Sequence, residues 1–267
     1  MGTLDNKVAI VSGSGRGIGR EVALKLAREG ASVVINDLDP VPAEETAAEI
    51  KAFGGNAVVC AGSVTDEDFA ERFVNTAIES FGGLDIIVNN AGYTWDTVIQ
   101  KMTDEQWDAI LDVHLKAPFR ILRAAQPYIK ANPTDHHRKV VNVSSVSGLY
   151  GNPGQANYSS AKAGVVGLTR TMAKEWGRYK VNVNAVAYGW ILTRMTEATA
   201  AEDAFLEIGG RNIKVGINPE IAKAAAATIP LGRPGTPEEA AGAIYLLCLQ
   251  ESNYVSGQCL TVDAGQR

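Results

Sequence analysis

Short runs of β-branched and apolar residues alternate with longer amphipathic stretches along almost the whole chain. The runs are Lys7–Val11, Ser32–Asn36, Ala57–Cys60, Leu84–Asn89, Val140–Ser144, Val181–Val186 and Cys259–Val262. The amphipathic stretches are Glu21–Glu29, Glu44–Phe53, Glu67–Phe81, Asp104–Ala131, Tyr158–Tyr179 and Pro237–Gln250. Apolar strands that are each followed by a helix predict a parallel sheet covered on both faces. We therefore expect an α/β fold: a doubly wound, Rossmann-type parallel sheet of about seven strands with helices on both faces.

The pattern continues without a linker, a repeat or a low-complexity tract, so residues 1–267 are predicted to form a single domain. The stretch from Arg194 to Pro234 is irregular and rich in glycine and proline. Long irregular segments in compact domains often cover active sites. We expect residues 190–234 to contain short helices and to form a mobile lid over a substrate site.

Composition and charge exclude several classes of function. The net charge is −5, and no block of Lys and Arg indicates a nucleic-acid surface. No apolar run approaches the length that crosses a membrane. The three cysteines lack metal-type spacing and predict reduced packing residues in a cytoplasmic protein. Asp135-His136-His137 is interpreted as an exposed loop, because adjacent side chains rarely converge on one ion, and no metal site is predicted.

A glycine-rich turn follows the first predicted strand and precedes the first predicted helix. Its glycines are Gly13, Gly15, Gly17 and Gly19. Without Cβ atoms, such a turn lets the backbone approach a diphosphate at the helix N-terminus. This spacing predicts dinucleotide binding.

Asp37 follows the second strand, where a carboxylate accepts hydrogen bonds from the adenosine ribose. It would repel a 2′-phosphate by on the order of 4 kcal/mol for unit charges about 4 Å apart at an effective dielectric of 20. Arg16 instead favours NADP(H), because its guanidinium could bind the 2′-phosphate. We give Asp37 more weight, since an unneutralised carboxylate excludes while an extra arginine only assists. NAD(H) is the expected cofactor and NADP(H) the alternative.

Tyr158 and Lys162 are separated by one helical turn, so the phenol and the ammonium can converge on one point. A nearby ammonium is expected to lower the pKa of the phenol from about 10 and make it a usable acid or base. Ser145, near the end of a predicted strand, could hydrogen-bond the oxygen that Tyr158 protonates. An isolated pair of this kind more often lies on a solvated helix face, so a catalytic role is inferred only together with the other motifs.

Several motifs together resemble the short-chain dehydrogenase/reductase family over essentially the whole chain. They are Ser12-Gly13-x-x-x-Gly17-Ile18-Gly19, Asn89-Asn90-Ala91-Gly92, the spacing of Ser145, Tyr158 and Lys162, and the pair Ile191 and Thr193. The resemblance implies that the cofactor contacts Gly13, Gly17, Ile18, Gly19, Asn90, Ala91, Gly92, Tyr158, Lys162, Gly189, Ile191 and Thr193. Serine stands at position 12 where threonine is usual.

The resemblance also implies a mechanism. Hydride passes between the nicotinamide and a carbonyl or carbinol carbon, and Tyr158 gives or takes the proton on its oxygen. Lys162 lowers the pKa of Tyr158 and binds the nicotinamide ribose, while Ser145 orients the substrate oxygen. In this family the helices matching Asp104–Ala131 and Tyr158–Tyr179 form dimer contacts, and a homo-oligomer, a dimer or tetramer, is expected.

The sequence departs from the family pattern at three places. His114 stands where an asparagine usually serves the proton relay; a neutral imidazole could do the same, or the histidine could merely satisfy buried backbone groups. Ser63, before Val64, replaces an adenine-binding aspartate with a weaker hydroxyl contact. Tyr188 replaces the proline that usually precedes Gly189, which is expected to loosen the turn and to narrow the nicotinamide pocket.

The segment from Ser145 to Tyr158 is similar to 3-oxoacyl-carrier-protein reductases and to the dehydrogenase part of multifunctional beta-oxidation enzymes. The former more often use NADPH with a basic residue after strand two, which is absent here. We expect an NAD(H)-dependent oxidoreductase of a secondary alcohol or ketone, with a 3-hydroxyacyl or 3-oxoacyl thioester as the favoured small-molecule substrate. Alternatives are a sugar, polyol, cyclic alcohol or steroid dehydrogenase and an NADP(H)-dependent 3-oxoacyl reductase. Retention of Tyr158 and Lys162 argues against a non-catalytic dinucleotide sensor.

Overall fold

The predicted parallel sheet is present in the structure, a computed structural model that describes residues 2–196, 205–214, 216 and 219–267. The strands in chain order are β1 Val8–Val11, β2 Ser32–Ile35, β3 Asn56–Val59, β4 Ile86–Asn89, β5 Arg138–Ser145, β6 Val181–Tyr188, β7 Phe205–Ile208, β8 Arg211–Lys214 and β9 Cys259–Val262. Seven of them form one sheet in the order β3-β2-β1-β4-β5-β6-β9, and every pairing is parallel. The strand order reverses between β1 and β4, which creates a crevice at the carboxyl edge of the sheet.

Helices cover both faces of this sheet. They are α1 Gly17–Arg28, α2 Pro40–Ala52, α3 Phe69–Phe81, α4 Asp104–Leu111, α5 Ala117–Ala131, α6 Val146–Tyr150, α7 Ala156–Trp176, α8 Pro219–Ala227 and α9 Pro237–Cys248. Two begin at capping boxes, in which Thr103 and Gln106 start α4 and Thr236 and Glu239 start α9. These side chains satisfy backbone N–H groups that a helix start leaves unpaired.

Alternate residues of each strand supply two hydrophobic cores. Ala9 and Val11 of β1 pack on the side of α1, α2 and α9, together with buried residues such as Ile244. Val8 and Ile10 pack on the opposite side, with α3, α5 and α7. A fully buried side chain of this size contributes about 1.5–3 kcal/mol. The two cores therefore hold the strand ends, and the loops that follow them, in fixed positions.

The predicted long helix Asp104–Ala131 is interrupted. A π-helical turn, Asp112–Lys116, separates α4 from α5. The Ala117 N–H donates to the carbonyl of Asp112, five residues earlier, whereas in an α-helix it would donate to the carbonyl of Val113. Pro118 follows directly and has no N–H with which to continue the α-helical ladder. The wide turn is therefore a local consequence of the proline, and it contains His114. Turns of this kind are frequent at functional sites.

The segment 190–234 contains a hairpin that was not predicted. β7 and β8 form an antiparallel hairpin, and Gly209 and Gly210 make its turn with φ of 57° and 77°. Two residues at positive φ are typical of a type I′ hairpin. The expectation of short helices is met by α8. Residues 197–204, 215, 217 and 218 of the expected lid lie outside the described residues.

No described helix combines the length and the apolarity that crossing a membrane requires.

Candidate active site

The glycine-rich turn after β1 is bound tightly to the turn after β4. The Ser12 hydroxyl accepts hydrogen bonds from the N–H groups of Asn90 and Ala91 at 3.0 and 3.1 Å. The Asn90 amide donates to the carbonyls of Ser12 and Gly13 at 3.0 and 2.9 Å. A Cβ on Gly13 would lie only 2.7 Å from the Ala91 Cα. Ser12 thus makes the hydrogen bonds that join the two turns, and the absence of a Cβ on Gly13 lets them pack closely.

The start of α1 fits the diphosphate of a dinucleotide. Its N-cap residue, Arg16, makes no side-chain hydrogen bond to the helix, and its first turn holds no acidic residue. A Cβ on Gly17 would meet the Thr193 Cγ2 at 3.7 Å, so Thr193 lies beside the turn. Helix N-terminal N–H groups without a side-chain partner favour an anion. The turn, including Ile18 and Gly19 of α1, is therefore suited to the group that the sequence predicts.

Asp37 lies against the glycine turn, as expected for a residue that contacts the adenosine ribose. Its Oδ2 accepts the Gly15 N–H at 3.2 Å, and its Oδ1 accepts the Asp39 N–H at 3.2 Å. Arg16 instead pairs with Asp39, with 3.1 Å between Nη2 and Oδ2, and both side chains are about half exposed. Asp39 thus pairs with Arg16, and the Arg194 guanidinium interacts electrostatically with both Asp37 and Asp39.

Asn36 also supports this end of the crevice and was not among the residues predicted from sequence. Its amide donates to the carbonyls of Cys60 and Gly62, both at 3.0 Å. Ser63 follows Gly62. Its hydroxyl hydrogen-bonds the Thr65 hydroxyl at 2.7 Å and accepts the Thr65 N–H at 3.2 Å. The next residue, Val64, is buried.

Ser145, Tyr158 and Lys162 are brought together at the carboxyl edge. Ser145 ends β5, and its hydroxyl accepts the Ser147 N–H at 3.1 Å at the start of α6. Tyr158 lies in the first turn of α7, and Lys162 lies one turn later. The Lys162 ammonium is 5.5 Å from the centre of the Tyr158 ring and donates to the Val143 carbonyl at 2.6 Å.

The electrostatics of this trio differ from the expectation. Burial raises the pKa of Tyr158 to about 12; a hydrogen bond with Ser145 opposes the rise, and the Asp96 carboxylate adds to it. Burial lowers the pKa of Lys162 to about 7. The net shift of the Tyr158 pKa is therefore opposite to the lowering expected from Lys162. Desolvation by burial is the largest cause of the shift in both groups.

His114 lies beside Tyr158, and its Nε2 is 2.7 Å from the Tyr93 carbonyl. That contact requires the proton on Nε2, which leaves Nδ1 as an acceptor. Nδ1 is buried and has no hydrogen-bond partner among the described residues. Burial, and then the charge of Lys162, hold the pKa of His114 well below its usual value. The ring is thus neutral, satisfies one backbone group and presents one unused acceptor. A Cβ on Gly92 would lie 2.0 Å from its Cε1, so only glycine leaves room for the ring.

The tyrosine that replaces the usual proline does not narrow the site. The Tyr188 side chain is 4% exposed in the core on the α9 side, and its hydroxyl donates to the Ala240 carbonyl at 2.5 Å. This buried hydrogen bond also pins the end of β6, so the expected loosening is wrong as well. Gly189 follows, and a Cβ there would lie 2.7 Å from the Asp263 Cβ.

Ile191 and Thr193 continue from this point. Ile191 is buried and bridges to Gly235, while the Thr193 N–H donates to the Thr196 hydroxyl at 2.9 Å.

Further residues, most of them not singled out by sequence reasoning, form a wall next to Tyr158. The Gln155 amide donates to the Asp96 carboxylate at 2.7 Å. Asn157 donates to the carbonyls of Trp95 and Gln106 at 3.2 and 3.0 Å. Burial raises the pKa of Asp96. The position of Asn157 directly before Tyr158 was an available signal, and Trp95 was a candidate for the substrate cleft because it follows a strand end.

Among the described residues, no group of three or more His, Cys, Asp or Glu side chains could hold a metal ion. His136 instead contacts the Asp85 carboxylate at 2.6 Å, and His137 contacts the Asn182 side chain at 3.1 Å.

The whole chain is similar to known proteins. Residues 13–267 match the model of a family described as enoyl-(acyl carrier protein) reductase. A 3-oxoacyl-[acyl-carrier-protein] reductase, FabG, of Thermotoga maritima is 38% identical over 263 residues, which cover 98% of each chain. A 3-oxoacyl-[acyl-carrier-protein] reductase of Synechocystis is 39% identical over 267 residues, which cover 99% of this chain and 98% of the relative. A crystal structure from Agrobacterium tumefaciens, provisionally assigned as a gluconate dehydrogenase, superposes with a TM-score of 0.84 at 33% identity and covers 98% of this chain and 96% of its own.

These matches extend over sheet, glycine turn and catalytic edge alike. They show that the chain belongs to the short-chain dehydrogenase/reductase family and is an oxidoreductase acting on CH–OH and carbonyl groups with a nicotinamide cofactor.

Proposed function

We propose that this enzyme interconverts 3-hydroxyacyl and 3-oxoacyl thioesters with NAD(H), using Tyr158 as the acid and base. The observation that carries the proposal is the convergence of Ser145, Tyr158 and Lys162 at the carboxyl edge of the sheet, the edge that also carries the glycine turn. The names of the two curated relatives support the thioester substrate.

The bound nicotinamide supplies or accepts the hydride, and the protein supplies placement and proton transfer. Ser145 donates a hydrogen bond to the substrate oxygen and orients it. In the direction of reduction, Tyr158 gives its phenolic proton to that oxygen as negative charge develops on it. In the direction of oxidation, the phenolate takes the proton back. A proton donor placed in this way contributes typically 10²–10⁴-fold to the rate.

Lys162 and His114 keep Tyr158 in the required protonation state. With a pKa near 7, Lys162 exchanges protons readily at neutral pH. The Tyr93 carbonyl fixes the His114 proton on Nε2, so Nδ1 can accept a hydrogen bond from a water that carries protons towards Lys162. In this proposal His114 replaces the relay asparagine of the family. Lys162 also binds the nicotinamide ribose.

The preference for NAD(H) rests on Asp37. Its carboxylate lies at the glycine turn, while Arg16 is paired with Asp39. We expect NADH to bind at least about tenfold more tightly than NADPH, since about 1.4 kcal/mol gives that factor. Dissociation constants from the fluorescence of the reduced cofactors test this, and equal constants would contradict it. An NADP(H)-dependent 3-oxoacyl reductase is then the alternative.

The substrate is tested by following the near-ultraviolet absorbance of the reduced cofactor with acetoacetyl-CoA, sugar acids and cyclic ketones. Highest kcat/KM with the thioester supports the proposal. Highest kcat/KM with a sugar acid supports the second candidate, a sugar or polyol dehydrogenase, which the assignment of the Agrobacterium tumefaciens structure favours.

We further propose that residues 1–267 act as one domain, that the segment 190–234 covers the substrate, and that the enzyme is a homodimer or homotetramer. Exposed apolar side chains support the assembly: Phe119 on α5, Leu246 on α9 and Leu260 on the edge strand β9. Sedimentation equilibrium tests it, and a monomer at micromolar concentration would contradict it.

A further inference from the structure

Arg211, the first residue of β8, attaches the β7–β8 hairpin to the loop after β4. Its Nε donates to the Glu105 carboxylate at 2.9 Å. Its guanidinium carbon lies 5.7 Å from the centre of the Trp95 ring. It also hydrogen-bonds the Tyr93 hydroxyl. One side chain therefore makes an ion pair to Glu105 of α4, and a cation–π contact and a hydrogen bond to Trp95 and Tyr93 of the loop after β4.

Two of the residues that Arg211 contacts through their side chains, Tyr93 and Trp95, hold catalytic groups through their backbone carbonyls. The Tyr93 carbonyl accepts the hydrogen bond of the His114 imidazole at 2.7 Å. The Trp95 carbonyl accepts the hydrogen bond of Asn157 at 3.2 Å, and Asn157 directly precedes Tyr158. A displacement of the wall would therefore be transmitted to both His114 and Tyr158.

Only an arginine suits this position. An exposed ion pair alone fixes little, because water and salt screen it. A planar guanidinium can stack on the Trp95 ring while its separate N–H groups reach Glu105 and Tyr93. A lysine ammonium could keep the ion pair but could not make all three contacts at once.

We propose that Arg211 is a positioning residue for the reaction: it fixes the Tyr93–Trp95 wall so that the substrate meets His114 and Tyr158 in productive geometry. The inference relies on the proposed function only for the identity of the substrate used in the kinetic test.

The first test is independent of activity. The protein is labelled with 5-fluorotryptophan, and the resonance of Trp95, one of four tryptophans, is assigned with Trp95→Phe. Arg211→Met should shift or broaden this resonance and leave that of the buried Trp176 unchanged. Arg178→Met is the matched control, since Arg178 stacks on Tyr179 with 4.9 Å to the ring centre, beyond the far end of α7. It should leave the Trp95 resonance unchanged. An unmoved Trp95 resonance in Arg211→Met would overturn the inference.

The second test separates positioning from folding. With acetoacetyl-CoA, Arg211→Met should lower kcat about tenfold with a smaller change in KM, and the dissociation constant of NADH should stay unchanged. Arg211→Lys should recover part of the lost kcat. Loss of thermal stability with an unchanged kcat would mean a structural role only and would overturn the inference. If the wild type does not turn over acetoacetyl-CoA, the proposed substrate fails, and the fluorine spectra alone decide the role of Arg211.

Discussion

The imidazole of His114 stands edge-on to the phenol ring of Tyr158, with 5.0 Å between ring centres and 89° between ring planes. This is a favourable aromatic arrangement, and it places a neutral histidine next to the residue that transfers the substrate proton. His114 is thus both a packing surface for Tyr158 and a candidate member of its proton relay. A substitution of His114 can therefore preserve one of these two roles and remove the other.

His114→Asn should retain turnover within about tenfold of the wild type, because the asparagine amide can donate to the Tyr93 carbonyl and its oxygen can accept a hydrogen bond from the relay water. The measurement is kcat across a range of pH. A loss as large as that of a Tyr158 variant would contradict the relay and indicate a distinct catalytic role for the imidazole.

Tyr158→Phe should reduce kcat by at least about 1,000-fold, since it removes the proposed proton donor and leaves the packing intact. The dissociation constant of NADH, measured by fluorescence titration, should change little. Residual turnover within tenfold of the wild type would refute the assignment of Tyr158 as the acid and base.

Lys162→Met should change how stability depends on pH. Burial lowers the pKa of Lys162 to about 7 in the folded protein from 10.5, so between these values the unfolded chain binds one proton more. The contribution of Lys162 therefore makes the free energy of unfolding rise with pH in this window, by at most about 1.4 kcal/mol per pH unit. Urea unfolding should show that rise reduced in Lys162→Met. Lys139, whose pKa burial lowers to about 8, titrates in both proteins and cancels in the comparison. Equal slopes in the two proteins would argue against the lowered pKa of Lys162.

Gly92→Ala should destabilise the protein by about 1–3 kcal/mol, because the new Cβ would overlap the His114 ring. Urea unfolding measures the change. Gly242→Ala in α9 is the matched control: no described atom lies within 4 Å of its new Cβ. A second substitution, His114→Ala, should restore part of the stability in the Gly92→Ala background. If it does not, the ring is not the source of the overlap.

Local patterns in the sequence predict most of the sheet and the catalytic trio. The strand Cys259–Val262 is found with the predicted bounds, and the spacing of Tyr158 and Lys162 places both on α7, because helical periodicity is a property of neighbouring residues. The failures arise where distant segments meet. The direction of the Tyr188 ring depends on α9, and the pKa of Lys162 depends on burial by the whole fold.

The hairpin is a different kind of failure. Gly209-Gly210 between two short β-type runs is a recognisable turn signal, but the contact of Arg211 with Trp95 joins residues far apart in the chain. No short-range pattern reports such a pair.

The wide turn at Asp112–Lys116 limits how this gene can change. The turn holds one residue more than an ordinary α-helical turn, so deleting one of its five residues would join α4 and α5 into a continuous α-helix. The buried stripe of α5 could then stay in its core, but the imidazole would lose its position beside the phenol. A single codon lost between Leu111 and Ala117 is therefore expected to impair catalysis more than folding.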